Sequence, residues 1–463
     1  MIAALGPFAI HALMTSPIDD RSVLRAPTVR AIPIAALLLS FSFCLLQSSP
    51  ATADPHSKYS FESIAQSSGT TFVSQKNDIL ITSEFAGGRM NRCDQISDDE
   101  FAITIEPERN QINDSAWYAF RIESTAAELS NTHDVTIRLS YVGGTHRYDP
   151  KISRDGRTWE TAAHLVTRRH PVGKEVEMRI PLDGKPIWVA GQELLDSETL
   201  DVWADHLSEQ PHVSRSVIGK SVQGRPLHRL DITESKRPDY VFIIARQHPP
   251  EVSGAIGMMH FVDAIAGKSE LGKQFRDRYS TVVVPMVNPD GVAHGHWRCN
   301  ANGVDLNRDW SHFSQPETRA VMDQLVKYRT LEDNDRDEQR LCLFIDFHST
   351  FDDVFYTTPR KSNLFPKDFT QDWLGAIQGR FPKYEVNQVA DHNVHRATSK
   401  AWVAQTLGVT AITYEFGDET NRDTIRSVAT GAAEEMMRLL IDLPSKPTQG
   451  ARVATTNAKP ILK

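Results

Sequence analysis

Four nearly continuous apolar segments in the second half of the chain limit most strongly what it can fold into. They are YVFIIA (240–245), TVVVPMV (281–287), LCLFIDF (341–347) and VTAITYEF (409–416). A strand that is apolar at every position is typical of a sheet covered by helices on both faces. Segments with helical periodicity lie between and after these strands, at 254–265, 315–331, 369–381 and 424–443. The pattern predicts an α/β domain with a largely buried sheet flanked by helices.

The first half of the chain has a different pattern of apolar and polar residues. Short segments of alternating apolar and polar residues occur at 78–85, 100–107, 116–124, 134–142 and 174–182, separated by turn clusters such as AGGR. Alternation implies strands with one buried face each. We therefore expect an antiparallel β-sandwich before the α/β domain.

The ends of the chain have their own character. Residues 32–46 are apolar but too few for a comfortable membrane span, and small residues at 51–53 fit a cleavage site. We expect a signal peptide over 1–53, with Met14 as an alternative start, and a secreted or periplasmic protein without a stable membrane span after cleavage. The alternative is an uncut anchor helix. Low hydrophobicity predicts a disordered tail over 444–463.

The domain boundaries are placed where the pattern of apolar and polar residues changes. The β-sandwich is expected over 54–206 and the catalytic α/β domain over 207–443. The formal net charge of −8 gives no basic surface, so we expect no nucleic-acid partner.

Polar clusters follow each of the four apolar strands. They are QHPPE after 240–245, NPDG after 281–287, FHST at 347–350, and Tyr414-Glu415-Phe416 at the end of the last strand. Ligands of open α/β sheets bind beyond the carboxyl ends of strands. We therefore expect these clusters to converge on one site.

The histidines in these clusters are candidate metal ligands. His248 and Glu251 are three residues apart, so both side chains can face one point across a turn that enters a helix. His348 follows a later buried strand and can complete the set. Two histidines and a carboxylate that leave one position open are a known catalytic zinc arrangement. An isolated HxxE pair would usually be chance.

Four further residues are candidates for catalysis or substrate binding beside the metal candidates. Arg298, Asn307 and Arg308 lie in WRCNANGVDLNRDW, and arginine binds carboxylates and polarised carbonyls with two hydrogen bonds. Glu415 ends a buried strand, where an unpaired carboxylate is costly. It is either a structural ion-pair partner or a general base for a metal-activated water.

The ordered motifs HPPE, NPDG, WRCNANGVDLNRDW, FHS and TYEFG resemble the zinc metallocarboxypeptidase family over about 207–443. The preceding segment, with AWYAFRIES and YDPKISRDGRTW, resembles the N-terminal domain of the cytosolic-type, deglutamylase-like subfamily. The resemblance implies a carboxypeptidase-like fold with a mixed sheet, and one zinc ion per chain. It also implies hydrolysis of the C-terminal residue of peptides by a zinc-activated water.

The resemblance also implies roles for individual residues. His248, Glu251 and His348 would bind zinc, and Glu415 would act as the general base. Arg298 would polarise the scissile carbonyl. The C-terminal carboxylate of the substrate would be bound by Asn307 and Arg308.

Lys400, in ATSKAW, is a candidate for specificity. Deglutamylating relatives carry an arginine in a similar context, so a lysine here would favour acidic C-terminal residues. The alternative is a solvated loop lysine. Peptide or protein C-termini are the expected partners, with bacterial cell-wall peptides as one source because of the predicted export.

Two other functions remain open at this point. The first is a zinc amidohydrolase of the aspartoacylase or succinylglutamate desuccinylase type, which shares the HxxE and histidine arrangement. The second is a catalytically inactive protein that binds peptide or glycan. The separate Arg298 motif and the β-sandwich disfavour the first, and the complete set of ligands, base and carboxylate-binding residues disfavours the second.

Overall fold

The computed structural model describes residues 69–443 except 77, 109–113, 125–132, 171, 329–339 and 361. The predicted signal peptide and C-terminal tail lie outside the described residues. Within the described residues, no helix is both long and apolar enough to cross a membrane.

The N-terminal region contains eleven described strands. They are β1 (Thr71–Val73), β2 (Ile79–Thr82), β3 (Arg92–Ser97), β4 (Glu100–Ile105), β5 (Ala119–Ser124), β6 (His133–Tyr141), β7 (Lys151–Ser153), β8 (Trp159–Thr161), β9 (Val166–Arg169), β10 (Glu175–Leu182) and β11 (Ile187–Ala190). A short 3-10 helix covers Ala163–Leu165.

These strands form two sheets, in the orders β1-β2-β5-β11-β7-β8 and β3-β4-β6-β10-β9. Apolar side chains of both sheets share one core, in which Phe101, Phe120 and Ile137 are fully buried. The predicted sandwich is therefore present. It is not wholly antiparallel, because β4 and β6 pair in parallel.

The second region contains the remaining strands and the α-helices. The strands are β12 (Val213–Lys220), β13 (Pro226–Ile232), β14 (Asp239–Ala245), β15 (Tyr279–Val284), β16 (Leu341–Thr350), β17 (Val354–Thr357), β18 (Gln388–Ala390) and β19 (Ala411–Gly417). The helices are α1 (Ser197–Ser208), α2 (Val252–Ala266), α3 (Glu270–Arg276), α4 (Pro289–Ala293), α5 (Pro316–Leu325), α6 (Phe369–Arg380), α7 (Ser399–Leu407) and α8 (Arg422–Ile441).

The eight strands form one mixed sheet in the order β12-β13-β15-β14-β16-β19-β17-β18. The four predicted apolar strands are its central strands β15, β14, β16 and β19, and they run parallel. Their carboxyl ends therefore meet at one edge of the sheet. The predicted α/β architecture with a mixed, buried sheet flanked by helices is confirmed.

The helices adjacent to the sheet differ in part from the sequence expectation. Helix α5 ends at Leu325, short of the predicted helical segment 315–331. Helix α1 begins at Ser197, and its Ala204 and Leu207 belong to the same core as the central strands. The domain boundary between residues 206 and 207 stays a prediction.

Candidate active site

The turn after β14 brings His248 and Glu251 together. Arg246 starts the turn with a left-handed backbone (φ 57°), and its Nη2 donates to the carbonyl oxygen of Pro249 at 2.6 Å. Glu251 directly precedes helix α2, yet its side chain caps no backbone N–H there. Its carboxylate is therefore available to the two histidines.

His348 reaches the same point because α2 lies against β16 at very short range. A Cβ atom on Gly254 would lie 2.1 Å from the carbonyl oxygen of His348, so only glycine fits at this position. The backbone N–H of Gly254 also donates to Ser349 Oγ at 2.7 Å. This contact fixes the separation between the two metal-binding segments.

The three candidate ligands converge. Nδ1 of His248 lies 2.8 Å from Glu251 Oε1, and Nδ1 of His348 lies 2.6 Å from Oε2. One ligand atom from each residue lies within 4.8 Å of the other two, which is close enough for a single ion. Burial opposes ionisation of Glu251, but the two histidines hold its pKa well below the usual range. This donor set fits a divalent metal such as zinc.

Two carboxylates accept hydrogen bonds from the Nε2 atoms of these histidines, which are the ring nitrogens on the side away from the metal position. Asp305 Oδ1 accepts from His248 Nε2 at 3.0 Å, and Asp346 Oδ2 accepts from His348 Nε2 at 2.8 Å. Donation from Nε2 leaves the lone pair of each Nδ1 facing the metal position, a common arrangement around zinc. The sequence analysis missed both residues. The one acidic residue in LCLFIDF was a usable signal for Asp346, because an acidic residue in a buried strand needs a partner.

Glu415 lies beside this cluster. It is the Cα partner of His348 in the parallel pairing of β16 and β19. Burial raises the pKa of the Glu415 carboxyl to about 8, and neighbouring His348 acts in the opposite direction. Its Oε2 is buried and has no hydrogen-bond partner among the described residues. In its ionised form, the Glu415 carboxylate can accept a proton from a water molecule in the cleft.

The predicted arginine and asparagine side chains line the cleft next to the ligands. Arg298 Nε donates to Asp305 Oδ2 at 2.6 Å. Arg308 Nη1 donates to the carbonyl oxygen of Asn307 at 2.7 Å. Within the described part of the chain, no carboxylate forms an ion pair with Arg308. Its guanidinium can therefore bind a carboxylate from outside the protein.

Lys400 lies in the first turn of α7 and is 2% exposed, so it is not a solvated loop residue. Its Nζ donates to the carbonyl oxygens of His392 at 2.8 Å and Thr357 at 3.2 Å. Burial lowers the pKa of Lys400 to about 8. The ammonium group therefore lies at the wall of the cleft without a carboxylate partner in the described structure.

One cleft of about 270 Å³ holds all the predicted site residues. Its lining consists of Arg147, His248, Glu251, Arg298, Asn307, Arg308, His348, Ser349, Thr350, Tyr356, His392, Asn393, Thr398, Lys400, Thr413 and Glu415. A larger cavity of about 400 Å³ beside α1 contains none of the predicted site residues. The chemistry of the side chains, and not cavity size, identifies the smaller cleft as the candidate active site.

The NPDG cluster is not part of this cleft. Asp290 is fully buried and accepts from Ser221 Oγ at 2.7 Å, Gln223 N at 2.9 Å and Arg225 Nη1 at 2.7 Å. It therefore fixes the turn between β12 and β13. The expectation that all four strand-end clusters converge is wrong for this one.

Two tyrosines of the second region, Tyr356 and Tyr384, differ in their position relative to the cleft. Tyr356 lines the cleft and stacks on His392, with ring centroids 3.8 Å apart. Tyr384 donates to Asp353 Oδ2 at 2.7 Å and packs against the core. Only Tyr356 is placed where it could touch a substrate.

The β-sandwich contributes a side chain to the cleft, and no residue of the sandwich was among the site residues predicted from the sequence. Arg147 lines the cleft and pairs with Asp418. Glu108 accepts hydrogen bonds from the backbone N–H groups of Trp297, Arg298 and Cys299 at 3.0, 2.7 and 3.0 Å. The partners are 271 and about 190 residues apart in the sequence, so no local pattern could predict them.

Comparison with known proteins defines the class. Residues 200–435 match the family described as zinc carboxypeptidase, and residues 81–190 match the cytosolic carboxypeptidase N-terminal domain. The first match covers just over half of the 463 residues. The chain therefore belongs to the zinc carboxypeptidase family, whose metal is zinc, and His248, Glu251 and His348 form a possible site for this ion.

Curated relatives carry the same subfamily name. Cytosolic carboxypeptidase 6 of Mus musculus is 23% identical over 335 residues, which is 64% of this chain and 60% of the mouse protein. Cytosolic carboxypeptidase 6 of Caenorhabditis elegans is 24% identical over 314 residues, which is 59% of this chain and 63% of that protein. The matched region thus spans less than two thirds of these relatives.

Solved structures share the fold. A metallo-carboxypeptidase from Burkholderia cenocepacia has a TM-score of 0.63 and 21% identity, with 79% of this chain and 98% of that chain covered. A metallo-carboxypeptidase from Pseudomonas aeruginosa in complex with (2-guanidinoethylmercapto)succinic acid has a TM-score of 0.63 and 20% identity, with 78% and 98% covered. At this identity the likeness shows the fold alone.

The comparisons correct the predicted location. The relatives are named cytosolic carboxypeptidases, and the N-terminal match is to a cytosolic-type domain, which points to the cytoplasm and not to secretion or the periplasm. The predicted signal peptide receives no support from these matches. Because cell-wall peptides were inferred from export, that substrate source loses its basis.

Proposed function

We propose that this chain is a zinc-dependent carboxypeptidase that removes the C-terminal residue of peptides or proteins. The supporting observation is that His248, Glu251, His348 and Glu415 share one cleft with Arg308, whose guanidinium has no carboxylate partner among the described residues. A carboxylate-binding group beside a hydrolytic metal site restricts cleavage to the end of a peptide, because only the end supplies a free main-chain carboxylate.

Each cleft residue has a separate role in the proposed reaction. Bound zinc supplies a Lewis acid that lowers the pKa of water and polarises a carbonyl. Glu415 takes a proton from the attacking water and passes it to the leaving amine. Arg298 donates to the carbonyl oxygen as negative charge develops on it. Arg308 and Asn307 bind the C-terminal carboxylate and hold the scissile bond in place.

Lys400 supports a preference for acidic C-terminal residues. Its ammonium group is buried in the cleft wall near Glu415, and its described hydrogen bonds all go to carbonyl oxygens. An acidic side chain would supply the negative charge that this buried cation lacks. Lysine offers a single charged centre and not a bidentate fork, so glutamate and aspartate are expected to be separated less sharply than by an arginine.

A C-terminal ladder experiment tests the proposal. The purified chain is incubated with peptides that differ only in the last residue, with and without a chelator, and the products are identified by mass. Loss of single C-terminal residues that stops with chelator supports the function. Glu415→Gln should retain zinc and lose ~10²–10⁴-fold in kcat.

The same experiment separates the alternatives. N-acylated amino acids are included as substrates for an amidohydrolase, and peptides with an amidated C-terminus remove the carboxylate that Arg308 and Asn307 would bind. Hydrolysis of N-acylated amino acids but not of peptides would contradict the carboxypeptidase proposal. Binding of peptides with zinc present and no turnover would identify an inactive binding protein.

A further inference from the structure

The β-sandwich holds the segment that carries Arg298. Glu108 follows β4 of the sandwich and accepts from three consecutive backbone N–H groups, those of residues 297–299. Consecutive N–H groups that point at one carboxylate form an anion-binding concavity. Hydrogen bonds to an ionised acceptor are about twice as strong as neutral ones. The shortest of these three hydrogen bonds, at 2.7 Å, joins the backbone N–H of Arg298 to Glu108 Oε1 and so connects Arg298 to the sandwich.

This contact continues to the metal site through charged groups. The Arg298 side chain donates from Nε to Asp305 Oδ2 at 2.6 Å. The other carboxylate oxygen of Asp305 accepts from His248 Nε2 at 3.0 Å. One chain of hydrogen bonds thus runs from Glu108 in the sandwich, through Arg298 and Asp305, to a metal ligand.

The geometry points to Glu108 as a positioning residue for catalysis, and we propose that the sandwich acts through it to hold Arg298 at the scissile carbonyl. This inference rests on the proposed carboxypeptidase function. Glu108 does not line the cleft, so it acts through Arg298 and not on the substrate. The sandwich is then a working part of the catalytic site.

The inference predicts a specific kinetic signature. A misplaced Arg298 weakens the hydrogen bond to the developing oxyanion but leaves Arg308 and Asn307 to bind the C-terminal carboxylate. Glu108→Ala should therefore lower kcat with little change in KM. A displacement of about 1 Å can cost ~10²-fold in rate, so a fall of ~10- to 100-fold is expected.

The chain offers a matched control. Glu106 is exposed and directly follows β4, and no described hydrogen bond or ion pair involves its side chain. Glu106→Ala removes the same side chain from the same strand end and should leave kcat unchanged. Glu108→Gln keeps an acceptor oxygen but loses the charge, so it should recover part of the loss.

A double-mutant cycle on the full-length, zinc-loaded chain completes the test. Because Glu108 acts through Arg298, Glu108→Ala should have little further effect on kcat in an Arg298→Ala background. Zinc content and melting temperature are measured for every variant. Coupled losses at full zinc occupancy support the inference.

Two results would overturn it. The first is an unchanged kcat in a folded, zinc-loaded Glu108→Ala variant. The second is a loss that adds fully to that of Arg298→Ala. An inactive wild-type chain with zinc bound would instead contradict the proposed function itself, so the two failures are distinguishable.

Discussion

Arg147 of the β-sandwich and Asp418 of the catalytic region form a buried ion pair, in which Nε and Nη2 both lie 2.6 Å from Oδ2. Asp418 lies three residues after the proposed base, Glu415, and its side chain is only 5% exposed. Arg147 also stacks over Phe351, with its guanidinium carbon 4.4 Å from the ring centroid. The pair therefore joins the sandwich to the segment that ends the central strand β19.

Breaking this pair should destabilise the protein. Arg147→Met keeps much of the side-chain volume but leaves the Asp418 carboxylate buried without its cation. Loss of one partner of a buried pair typically costs ~3–5 kcal/mol of unfolding free energy. Urea unfolding at pH 7.5 measures this cost, and a change below about 1 kcal/mol would contradict the role assigned to the pair.

The cost of Arg147→Met should depend on pH. Burial raises the pKa of Asp418 to about 6, and Arg147 partly opposes this rise. Because the folded pKa lies above the unfolded one, the folded state binds more protons, and stability falls as pH rises from about 4 to about 6. Without Arg147 the pKa of Asp418 rises further, so the fall continues towards neutral pH. The stability difference between variant and wild type should be larger at pH 7.5 than at pH 5.

Asp418→Asn provides the control for that pH dependence. With no titrating group at position 418, the cost of Arg147→Met should be nearly the same at both pH values. Other carboxylates titrate alike in the proteins with and without Arg147→Met, so their contributions cancel in the stability difference between the two. An equal penalty at both pH values with Asp418 present would contradict the assignment.

The carboxylate behind His348 should control zinc affinity. Asp346 accepts from Nε2 of His348 at 2.8 Å, and such outer partners typically change metal affinity ~10- to 100-fold. Asp346→Asn should weaken zinc binding by that factor, measured by competition with a chromogenic chelator. Asp290→Asn is the matched control, because Asp290 is equally buried but lies outside the cleft. Equal zinc affinities in the two variants would contradict this role for Asp346.

Much of the site could be predicted from local patterns. His248 and Glu251 follow a buried parallel strand, and His348 and Glu415 lie near the carboxyl ends of two others. The topology of such a sheet brings strand ends together. The same rule failed for NPDG, because Asp290 turns towards Ser221 and Arg225 and not towards the cleft. Strand position alone does not decide the direction of a side chain.

The residues that the sequence did not predict act across long separations. Glu108 and Arg147 reach the catalytic region from the sandwich, and their roles exist only once the two regions are packed. The residues next to Glu108 and Arg147 in the sequence do not distinguish them from carboxylates and arginines on the protein surface. Asp305 and Asp346 are intermediate cases, since a buried acidic residue indicates a partner without identifying which one.

The close approach of α2 to β16 predicts a strong effect at Gly254. In Gly254→Ala the new methyl group would meet the carbonyl oxygen of His348 at 2.1 Å, so helix and strand must separate. Overpacking of this kind costs ~1–3 kcal/mol, and here it also displaces His348, a proposed zinc ligand. The melting temperature, measured by calorimetry, and the zinc content should both fall relative to wild type.

Gly375→Ala is the control for helix propensity. Gly375 lies inside α6, and a Cβ there would meet nothing within 4 Å. Alanine is favoured over glycine in helices by ~0.5–1 kcal/mol, so this variant should be slightly more stable with unchanged zinc content. Stabilisation by both substitutions would contradict the packing argument.

The preference for acidic C-terminal residues should depend on pH through Lys400. Burial lowers the pKa of its ammonium group to about 8, so the free enzyme carries this charge below about pH 8 and loses it above. The ratio of kcat/KM for peptides ending in Glu to those ending in Gln should therefore be highest near pH 6.5 and fall as pH rises through 8 to 9.5. Comparing two C-termini at each pH cancels the titration of Glu415 and of the metal site. In Lys400→Met the ratio should be low and independent of pH. A pH-dependent ratio that persists in Lys400→Met would assign the preference to a different cation of the cleft, with Arg308 and Arg147 as the residues to replace next.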